Sequence, residues 1–173
     1  GDAVINGIFN SSGQTTLGND TAITGDVTGT GTLTGGSQAI TIGSITSLGT
    51  LTGGSGAIDI NGNATITAFN EGAGNTNIGG AFTVGTFTDN AGGTLIFDGA
   101  GTITSTGENL GNIEIAANRS LSDALTCGNL TINNGATLTT VANDLTCNNL
   151  LLNGTGILLA SGQGVGNSIT ING

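Results

Sequence analysis

An internal repeat limits the possible folds of this chain more than any other sequence feature. The seven residues GTLTGGS occur at 31–37 and again at 49–55, a shift of 18 residues. A second pair of segments, 124–143 and 144–163, repeats with a shift of 20. Repeats of this length are typical of solenoids, in which each repeat forms one coil that stacks on the next. The two shifts superpose Leu33 on Leu51, Ile40 on Ile58, Ile42 on Ile60, Leu125 on Leu145, Leu130 on Leu150 and Ile132 on Leu152.

Within each repeat, apolar residues alternate with polar ones over three to five positions, as in Ile58-Asp59-Ile60 and Ile113-Glu114-Ile115. Alternation with a period of two predicts strands that are buried on one face. Clusters of Gly, Asn and Ser separate these strands, and Gly and Asn tolerate the positive φ of sharp corners. The sequence therefore predicts short strands joined by tight turns, without helices.

A short amphipathic strand cannot bury its inner face alone, but stacked coils turn the inward residues into continuous aliphatic ladders. We therefore expect an all-β fold, a parallel β-helix (β-solenoid) of about nine coils with 18–20 residues each, in a single domain over 1–173. Such a rod is roughly 40 Å long. The absence of Pro agrees, because internal strands donate their N–H groups to neighbours. An antiparallel β-sandwich is the alternative, although it does not require near-identical consecutive repeats.

The composition is unusual for a globular enzyme: 7% of residues are charged, and the net charge is −10. Eleven acids are scattered singly against one base, Arg119. Such a surface repels nucleic acids and anionic lipids, so neither is an expected partner, and no apolar stretch is long enough to span a membrane. We interpret the isolated acids as solubilising surface charge.

The segments GGAFTVGTFTDNAGGTLIFDGAGTIT at 79–104 and GENLGNIEIAANRSLSDALTCGNLTINNGATLT at 107–139 resemble repeats of bacterial surface and exported proteins. The resemblance includes autotransporter passenger domains and filamentous-haemagglutinin-like exoproteins, and it extends over most of the chain from about residue 21. It implies a secreted, right-handed β-helix that acts as a stalk, fibre or adhesin of a prokaryotic cell. The two cysteines and the short length depart from that family's pattern.

Cys127 and Cys147 occupy the same place in consecutive repeats. Stacked coils would hold their Cα atoms about 4.8 Å apart, a distance that permits a disulfide. Parallel side chains would hold the Cβ atoms about 4.8 Å apart too, which is longer than the disulfide mean of about 3.8 Å. A ladder of buried thiols is therefore favoured over a disulfide. Two thiols without His do not complete a zinc site, and we expect no metal or cofactor.

Few residues of this chain could act in catalysis, because the chain has no His and no Lys to activate a nucleophile. Paired carboxylates on adjacent coils, such as Asp123 and Asp144, are the remaining candidates, as in glycosidases. Sugar-cleaving sites normally also carry aromatic platforms, and Phe is the only aromatic residue here. We expect no enzyme activity.

Thr-x-Thr pairs at 32/34 and 50/52 lie one repeat apart. Stacked coils would place Thr32, Thr34, Thr50 and Thr52 in a two-by-two array on a flat outer face, as in ice-binding solenoids. The simpler interpretation is that Thr favours exposed strands, and the pairs at 65/67, 102/104 and 137/139 do not keep the same register.

The sequence predicts a structural building block of a secreted or cell-surface filament, stalk or adhesin, with a flat Thr-rich face that binds ice or glycan as the alternative. The first residues, AVINGIFN, and the last, NSITING, are both strand-like, and no capping helix is predicted at either end. Uncapped strand edges attract other strands. The expected partner is therefore a second copy stacked end to end, or neighbouring repeats of a longer chain, with glycan or a host surface as a further ligand.

Overall fold

The computed structural model of the chain describes residues 3–90, 92–162 and 167–173, and these form a parallel β-solenoid of about nine turns without any helix. The predicted fold class is confirmed. Its eighteen strands are β1 (Ala3–Ile5), β2 (Phe9–Asn10), β3 (Gln14–Leu17), β4 (Thr21–Gly35), β5 (Ile40–Thr52), β6 (Ile58–Ile60), β7 (Ala64–Glu71), β8 (Thr76–Ile78), β9 (Phe82–Asp89), β10 (Thr94–Phe97), β11 (Gly101–Thr104), β12 (Asn112–Ile115), β13 (Arg119–Leu121), β14 (Leu125–Ile132), β15 (Thr137–Thr139), β16 (Leu145–Leu152), β17 (Ile157–Leu159) and β18 (Ile169–Ile171).

Every described pair of these strands is parallel, which excludes the antiparallel sandwich. The register agrees with the sequence repeats: Leu33 pairs with Leu51, and Leu125 pairs with Leu145. Most coils advance by 18 to 20 residues, as predicted. The last coil is longer, because Leu145 pairs with Ile169.

The pairings define three faces that run along the rod. The first face contains β1, the starts of β4 and β5, β6, β8, β10, β12, and the ends of β14 and β16. The second contains β2, the middles of β4 and β5, the starts of β7 and β9, β11, β13, β15 and β17. The third contains β3, the ends of β4, β5, β7 and β9, the starts of β14 and β16, and β18. On the third face, a parallel bridge pairs Asn109 of the preceding coil with Thr126 of β14.

The core consists of rows of inward side chains, one per coil. The longest row follows the first face and is fully buried at Ile23, Ile42, Ile60, Ile78, Phe97, Ile115 and Ile132. Burying an aliphatic side chain of this size contributes about 1.5–3 kcal/mol, so the rows supply the main stabilisation. Phenylalanines also belong to the core, where Phe69 packs edge-on against Phe87 with ring centroids 5.4 Å apart.

The corner between the third face and the first face is a column of glycines. A Cβ on Gly54 would lie 2.0 Å from the carbonyl oxygen of Gly36, and a Cβ on Gly72 would lie 2.1 Å from that of Gly54. Real Cβ atoms do not approach backbone oxygens so closely. The corner can therefore stack at the strand spacing only because these positions lack side chains.

Candidate functional surfaces

The four threonines predicted to form an array do so on the third face. Thr32 pairs with Thr50 and Thr34 pairs with Thr52, with all four side chains directed outward and half-buried. The other Thr-x-Thr pairs, at 65/67, 102/104 and 137/139, begin on the second face, which explains their different register.

The threonine array is longer than the sequence indicated. Thr16 pairs with Thr34 on one side, and beyond Ala68 and Asn70 the array resumes at Thr86 and Thr88. Asn70 donates from Nδ2 to Thr52 Oγ1 at 3.4 Å, which ties the interruption to the array. Residues 52, 70 and 88 are spaced by 18 in the sequence, so the repeat period alone places these three positions in one column. We call Thr16, Thr32, Thr34, Thr50, Thr52, Thr86 and Thr88 the threonine face.

Cys127 and Cys147 are register partners in β14 and β16, and both are buried free thiols. Burial, together with the smaller effect of the neighbouring Cys147, raises the pKa of Cys127 to about 12. Burial also raises the pKa of Cys147. Both groups are therefore protonated at neutral pH and poor nucleophiles. On the outer side of Cys147 the next residue in the row is Ile171.

Asp123 and Asp144 cap backbone N–H groups of adjacent coils. Asp123 accepts from the N–H of Ser105 at 2.9 Å and from that of Thr106 at 2.5 Å. Asp144 accepts from the N–H of Ser168 at 2.5 Å. Charge-assisted hydrogen bonds of this kind stabilise turns. The contacts of Asp123 and Asp144 are therefore those of structural residues.

Glu71 corrects the interpretation that all acids are solubilising surface charges. It ends β7 on the inward side and is only 1% exposed. Neither carboxylate oxygen has a hydrogen-bond partner among the described residues. Burial, together with the smaller effect of the charge of its register partner Asp89, raises the pKa of Glu71 to about 8. The alternation Phe69-Asn70-Glu71 in the sequence already indicates that Glu71 points inward, on the same side as Phe69.

Arg119 is also buried, although it was predicted to be the single base of an acidic surface. Its guanidinium donates from Nη2 to the carbonyl oxygen of Ile78 at 2.5 Å and from Nη1 to that of Gly80. It also lies 4.9 Å from the ring centroid of Phe97, a cation–π contact. Burial lowers the pKa of Arg119 to about 10, against the opposing charge of Asp98. The alternation Arg119-Ser120-Leu121 in the sequence indicates that Arg119 points inward, on the same side as Leu121.

Large exposed apolar side chains concentrate in the first and last coils. In the part of the chain that the structure describes, Val141 is the single exception. Val4 and Ile8 are exposed by 63% and 74% near one end, and Leu151 and Leu152 by 54% and 47% near the other. Ile157, Leu159, Ile169 and Ile171 complete this set at the second end. We call the two regions the N-terminal end face (Val4, Ile5, Ile8, Phe9) and the C-terminal end face (Leu151, Leu152, Ile157, Leu159, Ile169, Ile171).

Asparagine ladders run along the outside of the last coils. Asn129 donates from Nδ2 to Asn112 Oδ1, and Asn149 donates to Asn129 Oδ1, both at 2.8 Å. In a second ladder Asn133 donates to Glu114 Oε1 at 2.6 Å. Asn153 then donates to Asn133 Oδ1 at 3.1 Å. In each step the donor belongs to the later coil and the acceptor to the earlier one.

The described residues contain no group of three or more His, Cys, Asp or Glu side chains placed to hold a metal ion. They also contain no helix with the length and apolar character needed to cross a membrane.

Comparisons with protein-family models, with curated proteins and with solved structures give no match to this chain.

Proposed function

We propose that this chain is a structural building block of an extracellular or cell-surface filament, stalk or adhesin, in which solenoid coils continue end to end. The observation that carries the proposal is the concentration of exposed apolar side chains at the two end faces. Exposed apolar patches at both ends of a rod favour association with further apolar surface. The partner is a second copy, or adjacent coils of a longer chain.

The backbone supports the same proposal. The outer edges of β17, of β18 and of the end of β16 have no described partner strand, whereas the other edges of these strands pair with the preceding coil. Open parallel edges are templates for additional strands, and no described helix covers them. A further coil would supply backbone donors and apolar rows at once. The resemblance to bacterial exported repeats agrees with an extracellular location.

Electron microscopy and sedimentation of the purified 173-residue chain test this function. We expect concentration-dependent filaments of rod width with an axial repeat near 4.8 Å. Isolated rods at high concentration would contradict end-to-end assembly of this chain.

A matched pair of variants makes the test specific. Leu152→Lys with Leu159→Lys places two charges on the C-terminal end face and should shift the chain to monomers, because edge lysines oppose strand addition. Val141→Lys changes a residue of similar exposure that lies in the turn after β15 and should assemble normally. Equal loss of assembly in both would show that the end face is not involved.

A second candidate function rests on the threonine face. Regularly spaced hydroxyl and methyl groups on a flat sheet can match a crystalline or glycan surface, and the array extends beyond the four residues predicted from the sequence. Thr34→Lys with Thr52→Lys should abolish inhibition of ice growth or glycan retention. Thr65→Lys with Thr83→Lys, a register pair on the second face, is the control. Absence of both activities in the unmodified chain would exclude this candidate.

A further inference from the structure

The two end faces match at three apolar positions when coils are aligned through the register. On the first face, the pairings connect Ile5 through Ile23, Ile42, Ile60 and Ile78 to Phe97, Ile115, Ile132 and Leu152. Val4 and Leu151 therefore occupy one outward position, at opposite ends of the rod. On the second face, the same procedure places Ile8 and Leu159 at one outward position.

These outward positions are apolar at both ends, whereas the coils between are mostly polar or small. Between Val4 and Leu151 the position is occupied by Ala22, Thr41, Asp59, Asn77, Ile96, Glu114 and Thr131. Between Ile8 and Leu159 it is occupied by Asp26, Ser44, Asn63, Ala81, Thr102, Ser120 and Thr139. Solvated outward positions do not require large aliphatic residues. Large aliphatic residues at the matched positions of both ends are therefore compatible with an apolar contact between the two ends.

The asparagine ladder provides a polar match in the same register. Asn153 follows Leu152 and Asn6 follows Ile5, so the two asparagines also share one position. Asn153 uses its Nδ2 to donate to Asn133, and within the described part of the chain nothing donates to its Oδ1. Asn6 uses its Oδ1 to accept from Thr24 Oγ1 at 3.2 Å, and nothing described accepts from its Nδ2. A free acceptor at one end thus corresponds to a free donor at the other.

From these four matched pairs we propose that the C-terminal end face stacks head to tail on the N-terminal end face of a second copy. Leu151 then lies on Val4, Leu152 on Ile5, Leu159 on Ile8 and Asn153 on Asn6. This register rests on the end-to-end assembly proposed above. The contact is heterologous, since one copy uses its last coil and the next copy its first. Repetition of such a contact produces an open filament with a single direction. The ladder from Glu114 to Asn153 then continues through Asn6 to Thr24 across the junction.

Charge swaps at the matched positions test the register in the full chain. Every junction contains residue 4 of one copy and residue 151 of the next. Val4→Glu with Leu151→Glu brings like charges together and should raise the critical concentration of assembly about fivefold or more. Added salt should partly reverse this defect by screening. Val4→Glu with Leu151→Lys places opposite charges in contact and should restore a critical concentration within about twofold of the unmodified chain.

The control separates a matched pair from a simple change of net charge. Ile8→Glu with Leu151→Lys introduces the same two charges at positions that do not meet, so its assembly should remain weak. Circular dichroism of the monomers checks that all variants fold. Asn6→Asp removes the donor to Asn153 but keeps the acceptor for Thr24, and it should also weaken assembly.

The outcomes distinguish the register from the function on which it rests. If filaments form but the two Glu/Lys variants behave alike, the register is wrong while end-to-end assembly stands. If the unmodified chain forms no filaments, both proposals fail. Rescue confined to the 4/151 pair supports both.

Discussion

Arg119 donates a hydrogen bond from Nη2 to the carbonyl oxygen of Ile78, at 2.5 Å, across two levels of the solenoid. At the equivalent carbonyls of Ile60 and Phe97, the donor is a backbone N–H of the next coil. The guanidinium thus substitutes for a backbone donor inside the core. It reaches that place beside Gly101, where a Cβ would lie 2.8 Å from Nη1.

Replacing Arg119 by Met should destabilise the fold by about 1–3 kcal/mol, because buried carbonyl oxygens would lose their donors. Arg119→Lys keeps the charge but not the planar fork that serves two carbonyls, so it should also be less stable. Urea unfolding followed by circular dichroism measures both changes. Equal stability of Arg119→Met and the unmodified chain would show that relief of the guanidinium's desolvation offsets the lost hydrogen bonds.

Gly54→Ala should be among the most damaging single-methyl changes in the chain. The added Cβ meets the Gly36 oxygen at 2.0 Å, so coils at this corner must separate, at a cost of about 1–3 kcal/mol or more. Gly13→Ala is the matched control, since a Cβ there meets nothing within 4 Å. It should alter stability by no more than about 0.5 kcal/mol. Thermal unfolding of the two variants side by side decides whether the glycine column is a packing requirement.

Glu71 should make stability depend on pH in a direction that is unusual for a carboxylate. Its pKa rises from 4.5 to about 8 on folding, so the unfolded chain ionises first as pH increases. The contribution of this pKa shift to the free energy of unfolding is therefore fully present below pH 4.5, and it is lost as pH rises towards about 8. Glu71→Gln should behave like the unmodified chain at pH 4. At pH 9 it should be more stable, by on the order of 4 kcal/mol.

Subtracting the two unfolding free energies at each pH removes the contribution of the other acids. A difference that does not change with pH between 4 and 9 would mean that Glu71 has an ordinary pKa in the folded chain.

Neither cysteine should react with a thiol reagent at pH 8 while the fold is intact, because both are buried and have raised pKa values. In denaturant both should react at once. Cys147 should react before Cys127 when the last coil opens, since Ile171 in β18 is its neighbour towards that end. Single variants Cys127→Ala and Cys147→Ala assign the two rates, and intact mass under non-reducing conditions detects any disulfide. Fast labelling of Cys127 in the native state would contradict the buried ladder.

The fold could be predicted from the sequence because the repeats encode the register directly. Identical segments at a shift of 18 residues align Leu33 with Leu51, and parallel stacking pairs the same two residues. The division into three faces was not predicted. It depends on where the chain bends, and β4 runs through all three faces without a break at its glycines.

The candidate surfaces were predicted less completely. The threonine array was found where the repeat is nearly identical, and its extension to Thr86 and Thr88 was missed because Ala68 and Asn70 interrupt it. Glu71 and Arg119 were assigned to the surface by residue type, although the alternation of their strands directs them inward. The strand-like ends were predicted, but the match between Val4 and Leu151 requires the register of every coil between them.

The reach of Arg119 gives the rod an uneven resistance to fraying. The other described side-chain hydrogen bonds lie within one coil or join adjacent coils, so a terminal coil can detach while the remainder stays folded. Arg119 instead bridges separations of 39 and 41 residues and binds three successive levels into one cooperative unit. Local unfolding that begins at either end should therefore stop at the coils that Arg119 connects. The rod then has flexible terminal coils and a rigid middle.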